Sequence, residues 1–244
     1  MSEARDQILG SIRRSLKRGP LDEARATALN ERLAAHRRNL IPERAAGRDH
    51  AGQVDLFVAM AEEVQTTVAR VASADDVPAA IVEYLSQRNL PSRLVMTPDP
   101  QLDGIPWSAR PMLEIRRGRA EGDDAVGVSA CFAGIAETGT LMLNSGPESP
   151  TRNNFLPDTH IVVMRGDQVV ATYEDGWTRL RAGRAAADGA FAMPRTVNFI
   201  TGPSRTGDIE QRIELGAHGP RRLHIVLIDE HAGAAAAGRD GATS

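Results

Sequence analysis

From residue 93 onward the chain carries short apolar runs, too brief for helices and too continuously apolar for strands with one wet face. They are Arg93-Leu-Val-Met-Thr, Ala125-Val-Gly-Val-Ser, Gly139-Thr-Leu-Met-Leu, His160-Ile-Val-Val-Met, Thr196-Val-Asn-Phe-Ile-Thr and Leu223-His-Ile-Val-Leu-Ile. Strands of this kind belong to sheets buried on both sides. Upstream the period is helical: Val54, Phe57, Val58, Ala61, Val64, Val68 and Val71 share one face. A further helix carries Ile81, Tyr84 and Leu85 and ends near Asn89, with Asp75 or Asp76 as its cap and Pro78 in its first turn. Strands interleaved with helices define an α/β fold, a sheet flanked by helices. Met112-Leu-Glu-Ile adds a strand. Gln168-Val-Val is expected to pair with residues 160–164 in a hairpin across Arg165-Gly-Asp. Thr172 to Arg184 and Asp208 to Glu214 read as helices.

Ahead of this core lies a helical extension. Ile8, Ile12 and Leu16 recur every four positions, Arg13, Arg14, Lys17 and Arg18 crowd the last turns, and Gly19-Pro20 ends the helix. Such a helix suits docking on its own domain or a partner better than a membrane surface. A second helix runs from Asp22 to about Arg38 with a narrow apolar stripe, and the polar stretch Pro42 to Gln53 reads as a linker. The expected organisation is helices and linker over 1–53, an α/β domain over 54–230 and a structureless tail over 231–244.

Composition narrows the function classes. With 29 Lys and Arg against 32 Asp and Glu the net charge is -3, which argues against a nucleic-acid binder. The single cysteine, Cys131, cannot form an intrachain disulfide or hold an iron–sulfur cluster, which typically takes about four thiolates. A buried, inert thiol is expected there. No apolar run reaches the ~20 residues of a membrane span, and no secretory leader is evident, so a cytoplasmic location is expected. The histidines form no HExxH-type pair, and no metal site is expected.

Three polar stretches interrupt the strand-rich half. In Ala136-Glu137-Thr138-Gly139-Thr140, small residues permit close backbone approach to a ligand. Glu137 is a candidate general base or carboxylate nucleophile there; alternatively it caps a turn or pairs with an arginine. In Asn144 to Asn154, Arg152 could bind a carboxylate or phosphate, while Ser149 suits a helix cap with Pro150 in the first turn. In Thr201-Gly202-Pro203-Ser204-Arg205-Thr206-Gly207-Asp208, an apolar strand, a small-residue turn and an expected helix N-terminus suggest an anion site; alternatively Thr206 or Asp208 is only a cap. The stretch lacks the pattern of a P-loop or of GxGxxG. His218, on the turn Gly216-Ala-His-Gly-Pro220, is the best acid/base candidate, and His224 reads as a satisfied strand residue.

Taken together, AETGTLML, LPDTHIVVM and TGPSRTGDIEQRIELGAHGPRRLHIVLID resemble the lactate-utilisation protein C family, the LUD domain, over about Val54 to Asp229. The N-terminal RDQILGSIRRSL also resembles that family's opening helix. The resemblance implies an α/β domain similar to the superfamily of ribose-phosphate isomerases, glucosamine-phosphate isomerases and CoA-transferases. It implies a role as one subunit of a three-part system oxidising L-lactate to pyruvate, with the iron–sulfur clusters on partner subunits and no cofactor on this chain. Its motifs fall on Glu137-Thr138-Gly139-Thr140, Gly202-Pro203-Ser204-Arg205-Thr206 and Gly216-Ala217-His218-Gly219-Pro220. The family has no settled catalytic residues to carry over. On this reading Arg152 and Arg205 are carboxylate binders and His218 a proton acceptor. Two rival readings are a stand-alone CoA-transferase- or sugar-phosphate-isomerase-like enzyme using Glu137, and an assembly module without catalysis. The sequence also leaves homodimerisation open.

Overall fold

The computed structural model describes residues 3–17, 19, 21–38, 40–184, 193–209 and 212–229. The chain divides into two compact units, Met1–Leu40 and Ile41–Ser244. The first holds α1 (Glu3–Ser15) and α2 (Glu23–Ala35). Asp22 caps α2 by accepting from the Arg25 N–H at 2.8 Å. Neither helix has a buried residue.

In the second unit the elements follow as α3 (His50–Glu63), β1 (Thr67–Val71), α4 (Val77–Gln87), β2 (Arg93–Met96), β3 (Glu114–Arg117), β4 (Val126–Ala130), β5 (Ala133–Ile135), β6 (Thr140–Asn144), α5 (Arg152–Phe155), β7 (Thr159–Arg165), β8 (Val169–Val170), α6 (Tyr173–Arg184), β9 (Val197–Ile200), β10 (Arg205–Ile209), β11 (Arg212–Leu215) and β12 (Arg222–Ile228). Six strands form one sheet in the order β1-β12-β7-β4-β2-β3, and every neighbouring pair is parallel. A second sheet has the order β8-β5-β6-β9, and β10 with β11 forms a separate antiparallel ribbon.

The continuous apolar runs have the expected cause. Successive residues of a strand face opposite sides, and here both sides are dry. Val126, Val128, Ile161, Val163, Val226 and Ile228 pack with Val77, Ile81, Tyr84 and Leu85 of α4. Their alternates Val162, Met164, Ile225 and Leu227 pack with Phe57 and Ala61 of α3 and with Leu141 and Leu143 of the second sheet. The far face of that sheet carries Ala133 and Met142 against Leu180 of α6. The second unit is therefore layered, with the four-stranded sheet between the parallel sheet and α6.

Four expectations of local structure are corrected. The helix read over Val54 to Val71 ends at Glu63; Gln65 turns left-handed at φ 69°, and Val68 and Val71 belong to β1. That helix begins at His50, inside the stretch read as linker. No hairpin joins β7 to β8, because a 3-10 turn over Gly166–Gln168 carries the chain to the second sheet, where β8 lies parallel to β5. Where a helix was expected over Asp208 to Glu214, the chain forms β10 and β11. The tail over 231–244 lies outside the described residues.

Candidate functional site

The third polar stretch and the His218 turn meet at one pocket of about 390 Å³, beside the starts of β7 and β12. Its wall runs from Phe199 through Thr201, Gly202, Pro203 and Ser204 to Arg205; His218 to Pro220 lie opposite. His160 and Leu223, at the starts of β7 and β12, also line it. The wall is held by backbone bonds, since the Ser204 N–H donates to the Pro220 carbonyl at 2.8 Å and the Gly216 N–H to the Ser204 carbonyl at 3.0 Å. Gly202 is required there: at φ 76° a side chain is disfavoured, and a Cβ would sit 2.5 Å from the Val64 carbonyl oxygen. Val64 is the C-cap of α3, and its carbonyl also accepts from the Arg205 guanidinium, so Arg205 anchors the wall to a helix end.

This arrangement replaces one expectation. The anion site was expected at a helix N-terminus after Thr201, but β10 stands there, so helix amides cannot supply the attraction. Gly202, Ser204, Arg205 and His218 do come together, as lining of a pocket. Thr206 is buried on β10, opposite Glu214.

Sequence reasoning missed His160. It is fully buried, one ring nitrogen lies 2.8 Å from the Ser129 Oγ, and its Nδ1 has no hydrogen-bond partner among the described residues. Burial pushes the imidazole down to about 4, so it is neutral near pH 7. A buried ring nitrogen without a partner is costly unless something entering the pocket completes it. The available signal was a histidine inside an otherwise apolar strand.

The first motif lies apart from this pocket. Glu137 is 4% exposed, and its carboxylate accepts from the Tyr173 N–H at 3.0 Å. Tyr173 opens α6, whose first turn is also tied by Thr172 and Asp175. A carboxylate on unpaired amides at a helix start is a stabilising arrangement. Thr138, Thr140 and the Tyr173 hydroxyl form one cluster, and Thr140 reaches the Thr201 hydroxyl at 2.6 Å. Thr138 and Thr140 therefore buttress the pocket wall from behind. Gly139 packs against the backbone of α3. Glu137→Gln keeps an oxygen for the Tyr173 amide and loses only the charge, so we expect a loss of about 1 kcal/mol or less. Glu137→Leu removes the acceptor and should cost about 2 kcal/mol. Urea denaturation of both variants checks this; equal losses would mean that the carboxylate oxygen is not what α6 requires.

Arg152 opens α5 and lines a different depression, with Arg119 and Arg195. Ser149 caps no helix; its N–H and carbonyl exchange bonds with Gly146. Cys131 is buried, its thiol donates to the Ala133 carbonyl at 3.0 Å, and burial pushes it up to about 12. His224 stacks on Tyr84 at 3.9 Å and contacts the Thr67 hydroxyl at 2.8 Å, but its Nε2 lacks a partner among the described residues. Among the described residues no group of three or more His, Cys, Asp or Glu side chains is placed to hold a metal ion. No described helix is long and apolar enough to cross a membrane.

The fold and pocket define a class: a parallel-sheet α/β domain backed by a second, smaller sheet, with a pocket edged by one arginine. Residues 54–228 match the family described as the LUD domain, and the chain belongs to that family. It is 34% identical over 165 residues to lactate utilization protein C of Deinococcus radiodurans, covering 64% of this chain and 70% of that protein. It is 37% identical over 102 residues to an uncharacterized protein of Neisseria meningitidis, covering 42% of this chain and 41% of the other. To lactate utilization protein C of Geobacillus thermodenitrificans it is 32% identical over 111 residues, 43% of this chain and 42% of that protein. Two of these three matches thus span under half the relative's length. The crystal structure of a DUF162 family protein from Deinococcus radiodurans superposes with a TM-score of 0.53 at 26% identity, covering 74% of this chain and 98% of that one.

Proposed function

We propose that this chain is a non-redox subunit of a cytoplasmic L-lactate oxidation system, within a dehydrogenase-type complex whose iron–sulfur clusters reside on partner subunits. The pocket carries this reading. It gathers Gly202, Ser204, Arg205 and His218 around the incompletely satisfied His160, and it is sized for a small molecule. A small carboxylate is the ligand it suits: the Arg205 guanidinium lies at its edge, and neutral imidazole and hydroxyl groups can exchange hydrogen bonds with it. Family membership and the names of the lactate utilization relatives support the system. The parallel sheet is consistent with a fold similar to the superfamily of ribose-phosphate isomerases, glucosamine-phosphate isomerases and CoA-transferases, and we assign Glu137 to the start of α6 rather than to catalysis.

The test is a pull-down of the tagged chain from its native cells grown on L-lactate, with iron and the visible spectrum measured in the eluate. Co-elution of cysteine-rich, brown iron–sulfur chains is expected, while the isolated chain should contain no iron and should not oxidise lactate. A colourless chain eluting alone, or lactate turnover by the pure chain, would overturn the proposal.

A further inference from the structure

Arg119, Arg152 and Arg195 come from three separate parts of the sequence and line one open depression of about 820 Å³. Among the described residues no Asp or Glu shares that lining. Three other surface arginines, near Arg119 in sequence or on the same sheet, have acidic partners: Arg93 with Asp123, Arg117 with Asp103 and Arg116 with Asp124. Among the described residues none of the three arginines has an ion pair. In a chain of net charge -3, three arginines without ion pairs lining one space make a local positive patch.

The frame around them is fixed. Asn153, fully buried beside Arg152, accepts from the Ala120 N–H at 3.0 Å and donates to the Gly118 carbonyl at 2.8 Å. It thereby binds the backbone on both sides of Arg119. Thr196, next to Arg195, donates its N–H to the Ser145 Oγ at 2.9 Å, and its carbonyl accepts from the Ser145 N–H at 2.9 Å. Each arginine therefore extends from a tethered segment, which reduces the ordering cost of bringing the three charges together.

The depression shares Ser145, Gly146 and Pro147 with a second cleft of about 440 Å³. That cleft is lined by Asp99 and Gln101, just beyond β2, and by Cys131 and Phe132, just beyond β4. In the sheet β2 and β4 are neighbours, yet the chain leaves β2 outward to β3, and after β4, once it has passed through β5 and β6 of the second sheet, it re-enters this sheet on the inward side at β7. Ligands of open parallel sheets bind at such a reversal, beyond the carboxyl ends of the strands. The polar lining of this cleft includes Asp99, Glu148 and the Asn144 carboxamide, whose buried oxygen has no hydrogen-bond partner among the described residues. These are acceptors suited to hydroxyl groups.

We propose that the two clefts form one binding site for a hydroxyl-bearing phosphate ester. Its phosphate rests among Arg119, Arg152 and Arg195, and its hydroxyls face Asn144, Asp99 and Glu148. The site is separate from the His160 pocket, and its test does not depend on the lactate reading.

The experiment is calorimetric titration of the full chain at low salt with glycerol 3-phosphate, inorganic phosphate and glycerol. Glycerol 3-phosphate should bind saturably and more tightly than phosphate, and glycerol should not bind measurably. The doubly substituted Arg152→Gln, Arg195→Gln protein should bind the ester about tenfold or more weakly. Arg93→Gln, which removes a surface arginine elsewhere, should bind as the parent does. Arg152→Lys should lie between, since it keeps the charge and loses the fork. Circular dichroism of each variant confirms folding. Absence of saturable binding to the parent chain, or binding that survives the double substitution, would overturn the proposal. Phosphate binding as tightly as the ester would remove the hydroxyl cleft from it.

Discussion

Gly139→Ala should cost about 4 kcal/mol or more, and Gly139→Val should leave no cooperatively folded second unit. Two costs combine at this position. Its φ of 63° is left-handed, where an L side chain is disfavoured by roughly 1–2 kcal/mol. A Cβ would also lie 2.2 Å from the Ala61 amide nitrogen and 2.5 Å from the Met60 carbonyl carbon, both backbone atoms of α3. No side chain can rotate away, so α3 itself must retreat, taking Phe57 and Ala61 from the cluster they share with β7 and β12. Urea denaturation of Gly139→Ala measures the loss. Gly104→Ala is the control, since a Cβ there meets nothing within 4 Å. A Gly139→Ala protein within about 1 kcal/mol of the parent would show that α3 is not held by this contact.

Acid should destabilise the second unit through two histidines. Burial pushes His160 and His224 down to about 4, with Arg88 adding to the effect at His224. In the unfolded chain both should titrate near 6.5. As pH falls the unfolded state takes up the protons first. The stability that neutral burial provides is complete above about pH 6.5 and is lost progressively toward pH 4. The full loss is on the order of 3 kcal/mol for each imidazole. Denaturation midpoints measured from pH 7.5 to 4 should fall, and His224→Phe, which can still stack on Tyr84, should flatten the fall by about one proton's contribution. An unchanged slope in that variant would mean that His224 binds its proton equally well in the native and the unfolded chain.

The parallel sheet was legible because each central strand is apolar on both faces, and a run that short and that continuously apolar fits little besides a strand dry on both sides. Its two sheets were not, since β8 leaves β7 for β5 through contacts distant in sequence. Val68 and Val71 continued a helical spacing by coincidence. They lie on β1, three positions apart, and face opposite clusters, and the three residues Val64 to Thr66, with Gln65 left-handed, separate β1 from α3. The ribbon of β10 and β11 left no trace because RTGDI and RIEL carry no sustained apolar alternation. For the pocket, the motifs named Gly202, Ser204, Arg205 and His218, and their small and polar residues do mark its wall. His160 was hidden in an apolar strand, and Arg119 and Arg195 were hidden by their distance from Arg152. A depression built from separate segments becomes visible only once the chain has closed.

The edge strand β1 pairs only with β12, the last strand of the sheet. Thr67 and His224, which face each other across that seam, are 157 positions apart. During synthesis at roughly 5–20 residues per second, β1 therefore leaves the ribosome about 10–30 s before its partner exists. Until then Val68 and Val71 have no ladder to join. The second unit must hold an unpaired edge through most of its translation, so its final closure is a late event and the interval before it is when a chaperone has most to protect.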